Sequence, residues 1–262
     1  MQATSRILKP AQLPEPRAIW LGASTSLQQF DGRLLRRLSH YSPIARWDYC
    51  VTPDEASCLD TALDLLHGYL SSSYREPIHL MGHSTGGLMA LLYARQHPER
   101  VKSLTLLAVG ANPAITWHSH YYALRKLLPC SRQILLAQMA SFLFGQDSPM
   151  VKNHLTRLLE LDLDFAPLPH SLWQQNKIAQ GGVSVPLMVC GSRDDMVVDP
   201  VALECWHPFL KAHDRLWLCP YGRHFFHYIH PNLVSRKILK FWQSIEQPVS
   251  NLTSLSITPV TS

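Results

Sequence analysis

Ser84 stands between Gly82 and Gly86 in the run HLMGHSTGG, after an apolar stretch and before a helix-like one. A serine hydroxyl is a weak nucleophile. To be used it must be held exposed, served by a base, and the base in turn oriented by a carboxylate. G-x-S-x-G between a strand and a helix supplies the exposure. A glycine two residues to either side removes the side chains that would clash as strand and helix close up, and the turn lifts the hydroxyl to the positive end of the following helix. A plain βα turn with an incidental serine would need the same glycines, so the partners decide.

The stretch VPLMVCGSRDDMVVDP supplies the acid. Asp194 follows the strand-ending Gly191 at the offset expected of the acid. Asp195 is its adjacent rival, and Asp199 before Pro200 reads as a helix N-cap. The stretch DRLWLCPYGRHFFHYIHP supplies the base: Gly222 makes a turn and His224 follows it. Nucleophile, acid and base thus come in the order Ser, Asp, His, each after a strand. His227 and His230 continue the spacing of three but have no neighbouring cysteine or carboxylate, so no metal is expected. His227 reads as a packed residue behind His224. A tetrahedral intermediate needs two backbone N–H donors. Thr85 is one, and the turn in IWLGASTS offers Ala23, with Ser24 as the alternative.

The elements that must position these residues follow from hydrophobic periodicity. Apolar runs at 17–22, 43–49, 77–83, 101–110, 185–191 and 214–220 read as strands. Helical patterns cover 26–40, 54–71, 86–97, a stretch after Pro200, and 231–245. This alternation predicts an α/β fold, a mostly parallel sheet of six to eight strands with helices on both faces. Sites in such sheets lie at the carboxyl ends of the strands, where Ser84 falls. Between 112 and 182 the alternation gives way to helical, aromatic sequence, read as an inserted cap dividing a core of 17–111 and 183–246. Residues 1–16 form an N-terminal segment, and 247–262 a Ser/Thr/Pro-rich flexible tail.

Composition narrows the function classes. A chain of 262 residues with 46% hydrophobic and 16% charged residues buries one substantial core. Its net charge of +5 is spread in pairs rather than gathered in a patch, which argues against nucleic acid. Six scattered cysteines, without CxxC spacing, read as reduced thiols of a cytoplasmic protein. No stretch has the roughly 20 apolar residues of a membrane span. The expected partner is a small molecule with an apolar portion, bound by a monomer or dimer. Contact of the apolar cap with a membrane surface is the lesser alternative. No cofactor is implied, because no phosphate-binding G-x-G-x-x-G or Walker pattern is present.

Taken together, GHSTGG, CGSRDDMV and YGRHFFHYIHP resemble the α/β-hydrolase superfamily over about 17–246. The resemblance implies Ser84 as nucleophile, Asp194 as acid and His224 as base, in a capped serine esterase. Three departures stand out: Leu21-Gly22 replaces the family's usual His-Gly, the glycine-rich loop after the next strand is missing, and the first two strands are missing or vestigial. The cap's aromatics suggest an acyl pocket, with His83, Trp117, Tyr121 and Phe142 as expected substrate contacts. The expected reaction is hydrolysis of an ester with a hydrophobic part. Carbon–carbon bond hydrolysis and a pyruvate-eliminating lyase of the quinone pathway are alternatives on the same triad. Arg125, Lys126, Arg132, Lys152 and Arg157 would be the lyase's cations. A non-catalytic binding protein is the remaining alternative.

Overall fold

All six strands run in the same direction, in the order β2-β1-β3-β4-β5-β6. The computed structural model describes residues 16–50, 58–145, 149–166 and 178–246. The strands are β1 (Ala18–Gly22), β2 (Ile44–Asp48), β3 (Ile78–His83), β4 (Val101–Leu107), β5 (Leu187–Ser192) and β6 (Arg215–Cys219). Between them lie α1 (Gly32–Ser39), α2 (Leu59–Ser73) and α3 (Ser84–Gln96), then α4 (Trp117–Leu127), α5 (Arg132–Phe144) and α6 (Pro149–Phe165). The chain closes with α7 (Pro200–Glu204), α8 (Phe226–Ile229) and α9 (Pro231–Glu246). This is the parallel sheet that the alternation predicts, with six strands. The expected N-terminal segment up to residue 15, the tail from 247 and Trp173 lie outside the described residues.

The inner strands are apolar on both sides, as a sheet covered by helices requires. Successive residues face opposite layers. In β1, Ile19 and Leu21 join one core while Ala18 and Trp20 join the other; in β5, Leu187 and Val189 are set against Met188 and Cys190. One layer contains α2, α3 and the cap helices α4–α6. The opposite layer is built on α1 and α9, through Leu34, Leu38, Val234, Ile238, Phe241 and Trp242. The helix α3 buries Leu88, Met89, Leu91 and Tyr93 around its girth, because it packs on β1, β3 and β4. Among the described residues no helix is long and apolar enough to cross a membrane. All six cysteines are free thiols, with Cys190 and Cys219 buried as small hydrophobes.

The strand order sets the location of the site. From β1 the chain turns outward to β2 and then returns past β1 to β3, so the direction of winding reverses between β1 and β3. The carboxyl ends of these two strands, Gly22-Ala23 and His83-Ser84, flank a crevice at that reversal. The strands β5 and β6 deliver their following loops to the same end of the sheet.

Glycines keep that crevice closed from below. A side-chain carbon at Gly82 would lie 2.5 Å from the Gly86 carbonyl group, and one at Gly86 would run into the Leu21 carbonyl oxygen. At Gly68, within α2, the same carbon meets nothing within 4 Å. Gly86→Ala should therefore lower the unfolding free energy by about 1–3 kcal/mol through forced backbone displacement. Gly68→Ala should raise it by about 0.5–1 kcal/mol through helix propensity. Urea denaturation of the two variants checks this, and equal midpoints would contradict the packing described.

Candidate active site

The turn from β3 into α3 holds Ser84 in the left-handed region, at φ 50°. That conformation costs a non-glycine residue about 1–3 kcal/mol and is kept only where the surroundings impose it. Here they do, since Gly82, Gly86 and Gly87 bring backbone against backbone on both sides of the serine. The Ser84 hydroxyl is buried and makes no hydrogen bond.

Asp195 and His224 meet on the loops after β5 and β6. His224 Nδ1 donates to Asp195 Oδ2 at 2.9 Å, and both side chains are fully buried. The other Asp195 oxygen accepts the Val197 and Val198 backbone N–H groups at 2.8 and 3.2 Å, which fixes the carboxylate. With Nδ1 carrying the proton, His224 Nε2 is left as an acceptor, and it too is buried without a hydrogen bond. His83, next to the serine, donates from Nε2 to the His224 carbonyl at 2.9 Å, tying the two loops together.

The expectation that Asp194 orients His224 is corrected by this geometry. Neighbouring residues of a turn point different ways, and Asp194 points at the backbone of the β6 loop. Its Oδ1 accepts the Ser192 hydroxyl at 2.6 Å and the Arg223 N–H at 2.8 Å, and its Oδ2 the Gly222 N–H at 3.3 Å. Burial pushes the Asp194 pKa up, but these hydrogen bonds outweigh it and hold the pKa below the ordinary carboxylate value. Gly222 and Arg223 are both left-handed, at φ 126° and 55°. Asp194 thus ties down the bend that presents His224, while Asp195 touches the ring. Asp199 caps α7, accepting the Ala202 N–H at 2.7 Å.

A cavity of about 40 Å³ opens beside Ser84, and Ala23, Ser24, His83, Thr85 and Trp117 are among its walls. Tyr121 and Phe142, expected there, line it nowhere. Tyr121 is buried edge-on to Tyr122, and Phe142 packs against the large core. Phe144 stacks on Phe225 at 4.3 Å, so much of the cap's aromatic surface seats the cap. Among the walls that the sequence reading missed are Trp20, Leu27, Asp31, Asp162 and Phe225. Asp162 did leave a signal: it shares the buried face of α6 with Leu155, Leu159 and Leu163, where an acidic residue is out of place.

Behind His83 lies a buried polar group centred on Asp31. Its carboxylate accepts Trp20 Nε1 at 3.0 Å and His227 Nε2 at 3.2 Å, and pairs with Arg46 at 3.1 Å. Asp31, His83 and His227 bring ligand-type atoms within 4.8 Å of one another. Arg46 already supplies the positive charge that this carboxylate attracts, which disfavours a second cation there. His83 is driven to the neutral form by burial, reinforced by His227 and His224 beside it.

Comparison with known proteins agrees with the architecture. Residues 70–161 match the family model described as alpha/beta hydrolase fold. An uncharacterised protein of Synechocystis sp. is 44% identical over 243 residues, spanning 92% of this chain and 96% of that one. A crystallised hydrolase from Pseudomonas aeruginosa is similar in structure at a TM-score of 0.65 and 20% identity, covering 88% of this chain and 91% of that one. A membrane phospholipase A described as a bacterial virulence factor is similar at 0.66 and 17%, covering 88% and 79%. At these identities the two structures speak for the fold.

The depressed Asp194 pKa makes a pH-dependent contribution to stability. It is present above the ordinary value of 3.8 and lost as pH falls through the lower folded value. Asp194→Ala should cost about 1–3 kcal/mol at neutral pH, by stranding the donors of the 222–223 turn. Its stability should also fall less steeply below pH 4 than the wild type's. Unfolding curves at pH 7 and pH 3 check this, and a parallel loss at both would contradict it.

Proposed function

The chain belongs to the α/β-hydrolase superfamily, and we propose that it is a serine hydrolase that cleaves a carboxylic ester through an acyl-enzyme on Ser84. The observation that carries this is the buried Asp195–His224 pair, 2.9 Å apart, with His224 Nε2 left free and the His224 backbone carbonyl held by His83, the residue beside Ser84.

As Ser84 Oγ attacks the substrate carbonyl, His224 Nε2 takes its proton, and Asp195 holds the ring and balances the imidazolium charge. The backbone N–H groups of Ala23 and Thr85, on opposite sides of the β1–β3 crevice, are the proposed donors to the developing oxyanion. His224 then returns the proton to the leaving alcohol, and a water repeats the sequence on the acyl-enzyme. Ser84 Oγ and His224 Nε2 make no hydrogen bond to each other. Such bonds commonly tighten only in the substrate complex.

The cavity of about 40 Å³ has room for a few waters at most. Trp117 of α4 and Asp162 of α6 are among its walls. Leu21, Leu27, Trp117 and Phe225 give the ester's apolar part its walls. No lysine or arginine is among the described cavity walls, and Arg132 is paired with Glu160 and Asp164. A lyase substrate with several carboxylates would find no cation there, so hydrolysis of a neutral or cationic ester is the better reading.

On p-nitrophenyl butyrate, Ser84→Ala should abolish turnover. Asp195→Asn should lower kcat about 10⁴-fold by leaving His224 in the wrong tautomer. Asp194→Asn should stay within about tenfold of the wild type, because it acts on the turn alone. Steady-state kinetics of the three variants checks this. A large loss in Asp194→Asn with a normal rate in Asp195→Asn would return the role of acid to Asp194.

A further inference from the structure

We infer that Asp162 is the specificity residue of this site: its carboxylate, in the wall of the Ser84 cavity, receives a hydroxyl or ammonium group of the substrate. The inference rests on the serine-hydrolase reading. Asp162 lies on α6, is 3% exposed, and lines the same cavity as Ser84, Ala23 and Thr85. Its Oδ2 accepts two hydrogen bonds, from Trp117 Nε1 at 3.1 Å and His118 Nε2 at 2.9 Å. Its Oδ1 is buried and accepts none.

A buried carboxylate oxygen without a donor is unfavourable. The buried face of α6 otherwise holds Leu155, Leu159, Leu163 and Thr156, whose hydroxyl is satisfied by the Lys152 carbonyl, and a leucine at 162 would incur no such cost. Nor does anchoring α4 to α6 account for the arrangement, because the two donors use one oxygen and leave the other without a donor. Two fixed donors on Oδ2 also orient the group, so that Oδ1 presents its lone pairs in a set direction. The other carboxylate of the cavity, Asp31, is already taken up by Trp20, Arg46 and His227. A substrate group that donates hydrogen bonds satisfies Oδ1; a second carboxylate in the substrate would be repelled. The substrate class is therefore a small ester with a hydroxyl or amino group in its acyl or alcohol part.

The test uses two isosteric series. The acyl series is the p-nitrophenyl esters of butyrate, 3-hydroxypropionate and β-alanine, which place methyl, hydroxyl or ammonium at one position. The alcohol series is propyl, 2-hydroxyethyl and 2-aminoethyl acetate. In the wild type at least one donor-bearing ester should exceed its methyl counterpart in kcat/KM by about tenfold or more. Which one leads distinguishes hydroxyl from ammonium recognition. In Asp162→Asn the side-chain oxygen must remain on Trp117, whose indole only donates, so the amide NH₂ turns to the cavity. The preference should then fall to about threefold or less, a change that a merely structural role for Asp162 would not produce. Ratios near one in both series, or ratios unchanged in Asp162→Asn, would overturn the inference while butyrate turnover left the serine-hydrolase reading standing. No turnover of any ester would overturn both.

Discussion

The strand β3, the helix α3 and the end of β1 meet backbone to backbone at Gly82, Gly86 and Leu21, and the rest of the site is arranged around that contact. With no side chain between them, the β3–α3 turn is tight enough to hold Ser84 at φ 50°. The same closeness sets Ala23 and Thr85 across a narrow crevice and puts His83 where it can reach the His224 carbonyl. A side-chain carbon at Gly86 would push α3 away from β1. Through α3 the displacement would reach the packing just past the end of β4, where Val109 lies against Gly87. The fold and the site are therefore one packing problem at this point, and interiors of this density transmit such strain.

The acid–base arm adds a division of labour between adjacent aspartates. Asp194 shapes the left-handed bend at 222–223, and Asp195, fully buried, meets the imidazole. Loss of either would disturb His224, but by different routes, one through where the loop lies and the other through which nitrogen carries the proton. The floor behind His83 is similarly shared. Asp31 gathers Trp20, Arg46 and His227 from three separate parts of the chain, which fixes the back wall of the cavity without offering it a free charge.

Much of this was legible in the sequence. The parallel sheet followed from apolar runs alternating with helical periodicity, and the elbow from glycines spaced two residues either side of Ser84. Where strand-like runs stop after β4, the described residues form the helices α4, α5 and α6. The choice between Asp194 and Asp195 was not legible, because one residue in a turn reverses the direction of a side chain and nothing local says which neighbour meets the His224 ring. Tyr121 and Phe142 were misplaced for a related reason. Helical spacing tells which residues share a face, while the seating of α4 and α5 on the core decides which way that face looks. Asp162 depends on Trp117 and His118, 45 and 44 residues away, and such partnerships exist only in the folded chain.

The helices α4–α6 thus seat aromatics on the core and contribute Trp117 and Asp162 to the cavity walls. The reactivity of Ser84 is the claim on which the functional reading stands, and reaction with a fluorophosphonate followed by peptide mass analysis tests it most directly. One adduct per chain, on Ser84, with labelling slowed at least about a hundredfold in His224→Ala, is the expected result. A folded wild-type protein that stays unlabelled, or that labels at another serine, would contradict it.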